Sequence, residues 1–161
     1  MRCPRLFLLV FAALAGCASY SGSSLTPGVS TEEDVVAEMG APALVRNAPG
    51  GGRVLWYPRL PFGRQSFAAT VDRSGTLVSI EQRLEPQFIS RLRPNQSTAD
   101  DVLDLLGPPN RVDVYPLMPR EVWEYQLRTP PENMNLYVQI SPDRIVREVY
   151  QLHERPKFLF R

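Results

Sequence analysis

The sequence predicts an α+β fold built from two tandem modules, each a short helix followed by an antiparallel sheet. The first observation is an internal repeat, because residues 30–42 (STEEDVVAEMGAP) recur 67 positions later as residues 97–109 (STADDVLDLLGPP). The second is the alternation of apolar residues downstream of the repeat, as at Leu136, Val138 and Ile140, which is typical of strands with one buried face. A repeat of this kind indicates two similar structural units.

Each copy of the repeat predicts a short helix with defined ends. In the first copy the helix is expected from Thr31 to Met39, with Ser30 as the N-cap and Glu33 completing a capping box. In the second copy Ser97 or Thr98 is the expected cap. A glycine and a proline follow each helix and prevent it from continuing.

The remaining apolar segments predict the strands. They are expected near residues 44–46, 54–57, 67–71 and 76–84, and again near 111–114, 121–128, 136–140 and 144–152, with a short helix at 85–91 between the groups. Trp56 and Trp123 lie 67 positions apart, so we interpret them as equivalent core residues. The closing strands align at 68, which pairs Ile80 with Glu148 and predicts a bulge or a register that differs between the copies.

The beginning of the chain predicts export and a lipid anchor. Residues 1–16 have a basic head and a run of nine apolar residues, which is typical of a secretory signal peptide and too short to span a bilayer. Leu14-Ala15-Gly16-Cys17 resembles the lipobox of bacterial lipoproteins, which implies cleavage before Cys17 and its acylation, with palmitate among the attached chains. Ala18 after the cysteine implies, by the same resemblance, the periplasmic face of the outer membrane. The alternative is an ordinary exported protein in which Cys17 has no role.

Composition disfavours several classes of function. Removal of Arg2 and Arg5 with the leader lowers the basic count from 18 to 16, against 17 acidic residues, so the mature net charge is 16 − 17 = −1. A nearly neutral chain without a basic stripe is not expected to bind nucleic acid. The mature chain has a single histidine, His153, and no thiol besides Cys17. We therefore expect neither an enzyme, a metal, a cofactor nor a small-molecule substrate.

The chain divides into a leader and four further segments. Residues 17–24 are expected to form a flexible tether, 25–84 the first module, 85–154 the second module and 155–161 a tail. A module of about 65 residues buries only about 60% of its unfolded surface. The two modules are therefore expected to share an interface.

The repeated motif Asp-Val-x-x-x-(Met/Leu)-Gly-x-Pro, followed by a strand with a tryptophan and placed behind a lipobox, resembles the SmpA/OmlA family of outer-membrane lipoproteins. This family includes the BamE component of the outer-membrane protein assembly machine. Tandem modules of this kind are also similar to the β-lactamase inhibitor protein. The resemblance covers residues 25–152 and implies BamE-like modules that bind protein partners in support of envelope assembly. Such lipoproteins usually carry one module, and the alternative is a binder or inhibitor of a periplasmic enzyme.

Two proline-rich loops, residues 58–64 and 115–120, are the predicted binding elements, because they combine aromatic residues, methionine and arginine. These residue types are enriched in protein interfaces. The predicted partner-binding residues are Arg59, Phe62, Arg64, Tyr115, Met118 and Arg120. Rigid loops that contact no partner are the alternative. The tail, with apolar residues between cations, is expected to add an edge strand, contact a partner or lie on lipid.

Overall fold

The computed structural model describes residues 21–59 and 63–154. Cys17, Phe62 and the tail, residues 155–161, lie outside these ranges, and so do the signal peptide and most of the tether. The described residues form three helices and eight strands. These are α1 (Glu32–Met39), β1 (Leu44–Asn47), β2 (Arg53–Pro58), β3 (Ser66–Val71), β4 (Leu77–Gln82), α2 (Pro86–Ile89), α3 (Ala99–Leu106), β5 (Arg111–Tyr115), β6 (Met118–Leu127), β7 (Met134–Ile140) and β8 (Val146–His153).

The strands form two separate antiparallel sheets, ordered β1-β2-β3-β4 and β5-β6-β7-β8. Consecutive strands are neighbours because short connections link them, which is the simplest antiparallel arrangement. The chain is therefore α+β, as the sequence predicts. We refer to α1 with β1–β4 as the first unit, and to α2, α3 and β5–β8 as the second unit.

The two longer helices, α1 and α3, both begin with a capping box. In the first unit this box begins one residue later than the sequence indicated. Thr31, not Ser30, is the N-cap, and Asp34 rather than Glu33 closes the box. The Thr31 hydroxyl accepts the Asp34 N–H at 3.2 Å, and an Asp34 carboxylate oxygen accepts the Thr31 N–H at 2.8 Å. The Ser30 hydroxyl instead accepts the N–H of Thr26 and closes the preceding turn. Hydrogen bonds from Thr31 hold the pKa of Asp34 below its usual range.

The second unit repeats this arrangement. The Thr98 hydroxyl accepts the Asp101 N–H at 3.1 Å, while Asp101 accepts the Thr98 N–H at 2.7 Å. Ser97 again closes the turn before the helix by accepting the N–H of Arg93. The repeated sequence therefore encodes the same local structure twice.

Each long helix packs on one face of its own sheet, which we call the inner face. In the first unit the core consists of Val35, Met39, Leu55, Tyr57, Phe67, Ala69, Val71 and Leu77. In the second unit the principal core residues are Val102, Leu106, Trp123, Tyr125, Leu127, Leu136, Val138, Ile140 and Val146, together with Phe88 and Ile89 of α2. Burial of these apolar faces stabilises helices that are too short to persist alone.

The two tryptophans are not equivalent, contrary to the sequence alignment. Trp56 pairs with Leu44 across its hairpin, whereas Trp123 pairs with Val112. The β5–β6 connection is one residue longer than the β1–β2 connection. Trp123 therefore occupies the position on the inner face that Leu55 has in the first unit. Trp56 therefore lies on the outer face, since a shift of one residue reverses the direction of a side chain.

The register of the closing strands also differs from the prediction. Ile80 pairs with Ala69 and Val149 pairs with Val138, so the two closing strands are equivalent at a spacing of 69 rather than 68. Both sheets have an irregularity at the same place, just before Val71 and Ile140. The predicted register difference is therefore wrong, and it arose from a missed second insertion between β6 and β7.

Helix α3 also contacts the outer face of the first sheet, so it lies between the two sheets. Arg46 of β1 forms ion pairs with Asp100 and Asp104 of α3. A Cβ added to Gly107, which follows α3, would lie 2.4 Å from a ring carbon of Trp56. The layers therefore run in the order α1, first sheet, α3, second sheet, which supplies the interface expected from the small size of each unit.

The two units point in the same direction. We define the upper end of each sheet as the end that lies at the N-terminus of its helix. There Thr31 bridges Thr76, and Thr98 bridges Ile145. At the opposite, lower end, the Arg64 guanidinium donates to the Leu127 carbonyl oxygen. The contacts of α3 agree with this direction, because its first turn meets the upper part of β1 and its C-terminal end meets Trp56 lower on β2.

Candidate functional site

The most exposed large apolar residue of the described chain, Leu117, lies at the tip of the β5–β6 hairpin. Residues 116 and 117 form the turn, and Tyr115 pairs with Met118. Leu117 is 100% exposed and Val114 is 70% exposed, while Tyr115 is about half exposed. We call residues 114–118 the apolar hairpin tip. Such exposed apolar clusters mark sites of interaction more often than isolated surface residues do.

The equivalent hairpin of the first unit has a different tip. Its turn is Ala48-Pro49-Gly50-Gly51-Gly52, and Gly50 and Gly51 both have positive φ. This turn joins β1 to β2 without any large side chain. The fold therefore does not require the apolar side chains at the upper end of the second unit.

A polar network covers the outer face of the second sheet, adjacent to this hairpin. The rings of Tyr137 and Tyr150 stack with their centroids 5.4 Å apart. The Gln139 amide lies 3.4 Å from the Tyr150 hydroxyl. The Arg120 guanidinium donates to Gln139 at 2.9 Å and to Glu148 at 3.1 Å. These contacts join neighbouring strands of one sheet, so the network rigidifies the base from which the hairpin projects.

A second arginine completes the network on β5. Arg111 forms ion pairs with Asp113 at 2.7 Å and with Glu124 at 3.0 Å. The negative charge of Glu124, followed by that of Asp113, raises the pKa of Arg111 above its already high value. Asn135 donates to Glu124 at 3.1 Å. The largely buried carboxylate of Glu124 is thus paired, as buried charges generally are.

The first predicted loop contributes to contacts within the chain. Arg64 forms an ion pair with Glu154 at 2.6 Å in addition to its bond with Leu127. The Asn110 amide donates to the Gly63 carbonyl oxygen at 3.0 Å. Arg59 is half-buried just after β2. The loop therefore joins the lower ends of the two units.

Of the five predicted partner-binding residues that the structure describes, which exclude Phe62, it brings three together. Tyr115, Met118 and Arg120 lie on the β5–β6 hairpin at the upper end, whereas Arg59 and Arg64 lie at the lower end. The two predicted loops therefore do not form one site. Leu117 lies within the predicted binding loop, residues 115–120, but was not among the six predicted residues, and Val114 lies just before that loop. Their position beside a proline-bounded turn between two strands was a usable signal.

His153, the single histidine of the sequence, is the last residue of β8. The imidazole of His153 contacts Glu132 at 2.9 Å, and both side chains are exposed. Within residues 21–59 and 63–154, no group of three or more His, Cys, Asp or Glu side chains is placed to hold a metal ion. In the same part of the chain, no helix has the length and hydropathy needed to cross a membrane.

Comparisons with known proteins add little to this description. Neither a scan of protein-family models nor a search of curated proteins found a match for this chain. A search of solved structures found similarity to a DUF4309 family protein (YjgB) from Bacillus subtilis, with 24% identity over 81% of this chain and 82% of that chain, and a TM-score of 0.33. Similarity of this degree carries no argument about function.

Proposed function

We propose that this chain is an outer-membrane lipoprotein, anchored through Cys17 on the periplasmic side, that acts as a non-enzymatic interaction protein in envelope assembly. Its two units are, in this proposal, tandem BamE-like modules of the kind also found in the β-lactamase inhibitor protein. The observation that carries the proposal is the apolar hairpin tip, because it exposes large apolar side chains that the equivalent turn of the first unit lacks.

The lipobox and the interface between the units support this proposal. Acylation at Cys17 adds about 0.8 kcal/mol of membrane affinity for each buried CH₂ group, so two or more chains anchor a protein firmly. The first unit packs its outer face against α3, and Arg46 forms ion pairs with two aspartates of α3. In this proposal the first unit holds the second, which presents its hairpin to a partner.

The proposal is tested by in-cell crosslinking of the full-length lipoprotein, affinity purification and mass spectrometry. Incorporation of radiolabelled palmitate is measured in parallel. We expect palmitate on the wild type and not on Cys17→Ala, and enrichment of outer-membrane assembly proteins that this variant loses. Wild-type protein without palmitate, or no enrichment over the variant, contradicts the proposal.

The second candidate is a binder or inhibitor of a periplasmic enzyme. The observation that favours it is the same projecting hairpin, because a turn with an exposed leucine suits insertion into an enzyme cleft. An inhibitor acts in trans, so the Cys17→Ala protein is expected to retain its effect. Enrichment of a single soluble enzyme, unchanged by Cys17→Ala, favours this candidate over the assembly role.

A further inference from the structure

We infer that the two units enclose a binding site for one small hydrogen-bond acceptor, a water molecule or a halide ion, held by Trp56, Ser66 and Arg83. These three residues lie on the outer face of the first sheet, on the side where the second unit packs. The site lies within the chain, so it depends neither on the proposed anchor nor on a partner protein.

Each of the three side chains has a buried polar atom without a hydrogen-bond partner in the described structure. These atoms are Nε1 of Trp56, Oγ of Ser66 and Nε of Arg83, and Trp56 and Ser66 are each only 1% exposed. Buried polar groups are nearly always paired, because loss of hydration without a hydrogen bond costs free energy. The indole of Trp123, by comparison, donates to Glu121 at 2.9 Å. We therefore expect the three atoms to bind a partner that is not part of the protein.

The strand register places the three side chains next to one another. Ser66 pairs with Pro58, so its side chain lies on the same face as that of Trp56, which precedes Pro58 by two residues. On the next strand, the Arg83 N–H donates to the Ser66 carbonyl oxygen at 2.8 Å. The guanidinium carbon of Arg83 lies 6.0 Å from the centroid of the Trp56 ring. Two N–H groups that share one acceptor, each at about 2.9 Å, are compatible with this separation.

Residues of the second unit lie against two of the three side chains. The ring of Phe88 in α2 has its centroid 4.5 Å from the guanidinium carbon of Arg83. Gly107, which follows α3, lies against the ring of Trp56. All three unpaired atoms are shielded from solvent. A ligand of this site is therefore small, because it is enclosed when the two units pack together.

The donor groups define the chemistry of the ligand. Indole and guanidinium N–H groups only donate hydrogen bonds, whereas a hydroxyl donates or accepts, so the ligand supplies lone pairs and is not a metal ion. The charge of Arg83 is already paired, because its Nη2 contacts a carboxylate oxygen of Glu81 at 2.8 Å. The acceptor therefore needs no charge of its own. Water and a halide ion share these properties, and a buried water typically makes about three hydrogen bonds.

The first test is a crystal structure of the full-length protein, grown with sodium bromide in place of sodium chloride. We expect one peak of electron density within hydrogen-bonding distance of all three polar atoms. An anomalous bromine signal at this peak identifies a halide ion, and a peak without that signal identifies water. The inference is overturned if the three atoms are ordered and no peak lies between them, or if a protein group accepts their hydrogen bonds.

The second test is made in solution by NMR, where the two tryptophans of the chain give an internal comparison. Ser66→Ala removes one of the three groups that hold the acceptor, so we expect it to shift the indole N–H resonance of Trp56 and to leave that of Trp123 in place. The matched control is Ser79→Ala, which lies on the same outer face but opposite Thr70, toward the upper end. Thermal unfolding checks that both variants are folded. A Trp56 resonance that does not respond to Ser66→Ala, or that responds equally to both variants, contradicts the site.

Discussion

The outer faces of the two sheets differ far more than their inner faces. On the first sheet, Trp56 and Ala68 are almost completely buried, at 1% and 0% exposure, and Trp56 lies against Gly107 of the second unit. The positions equivalent to these two residues on the second sheet are Glu124 and Tyr137, which belong to the polar network. The outer face of the sheet is thus apolar in the first unit, which the second unit follows. It is polar in the second unit, after which the structure describes no further unit.

This difference resembles the behaviour of repeat proteins. Internal repeats bury both faces against neighbours, whereas a terminal repeat has a polar outer face that keeps the array soluble. The ion pairs of Arg111 and Arg120 satisfy the charges of the second sheet from within the sheet itself. The outer face of the second unit is therefore polar like that of a terminal repeat, and the hairpin tip remains its principal apolar feature.

The contact between Gly107 and Trp56 gives the largest expected effect. Both Gly107 (φ +77°, ψ −167°) and Gly40 (φ +85°, ψ −169°) follow a helix in a backbone region that favours glycine. Gly107→Ala combines that strain with a clash against the Trp56 ring. We expect it to lower the free energy of unfolding by roughly 2–6 kcal/mol, from about 1–3 kcal/mol of strain and about 1–3 kcal/mol of overpacking. Urea denaturation measures the loss.

Gly40→Ala is the matched control, because a Cβ at Gly40 would meet nothing within 4 Å. It carries only the backbone strain, so we expect a loss of about 1–3 kcal/mol. The difference between the two variants measures the packing of Trp56 against the second unit. Equal losses would show that the units do not pack closely in solution.

A pair of equivalent tyrosines gives a smaller effect. The Tyr125 hydroxyl donates to the Gly107 carbonyl oxygen at 2.9 Å, whereas the buried Tyr57 hydroxyl has no hydrogen-bond partner among the described residues. Tyr125→Phe leaves a buried carbonyl oxygen unsatisfied, so we expect a loss of roughly 1–3 kcal/mol. Tyr57→Phe removes an unpaired hydroxyl and is expected to be neutral or slightly stabilising.

Both tyrosines stay protonated near neutral pH, so the comparison does not depend on pH in that range. Burial, with a further contribution from Glu32, raises the pKa of Tyr57 to about 12. Burial also raises the pKa of Tyr125. Urea denaturation at pH 7 measures both variants. A loss for Tyr57→Phe as large as that for Tyr125→Phe would indicate that a partner for the Tyr57 hydroxyl exists in solution.

Much of the local structure follows from the sequence because it depends on neighbouring residues. The capping residues, the helix ends and the alternation of Leu136 and Val138 all act within a few positions of the chain. The error at Ser30 was one residue, since two hydroxyl residues adjoin there and only the tertiary bridge of Thr31 to Thr76 distinguishes them.

The faces of the strands and the candidate site did not follow from the sequence. One added residue in the β5–β6 connection reversed the role assigned to Trp56, and a single sequence does not show where such an insertion lies. The exposure of Val114 depends on β5 being an edge strand, which is a property of the whole sheet. Burial between units is likewise a tertiary property, so the interface of Trp56 with Gly107 had no local signal.

The ion pairs of Arg46 provide the smallest expected effect on the contact between the units. Arg46 contacts Asp100 at 3.2 Å and also Asp104, and both aspartates are largely exposed. Arg46→Gln is therefore expected to cost at most about 1 kcal/mol, because solvent weakens such pairs. The loss should shrink at high salt, where screening is stronger. Urea denaturation at low and high salt measures the loss of stability. The control is Arg53→Gln, which breaks an ion pair to Glu32 inside the first unit. A loss at low salt well above that of the control, and unchanged by salt, would mean that the Arg46 side chain acts through packing against α3 rather than through its charge.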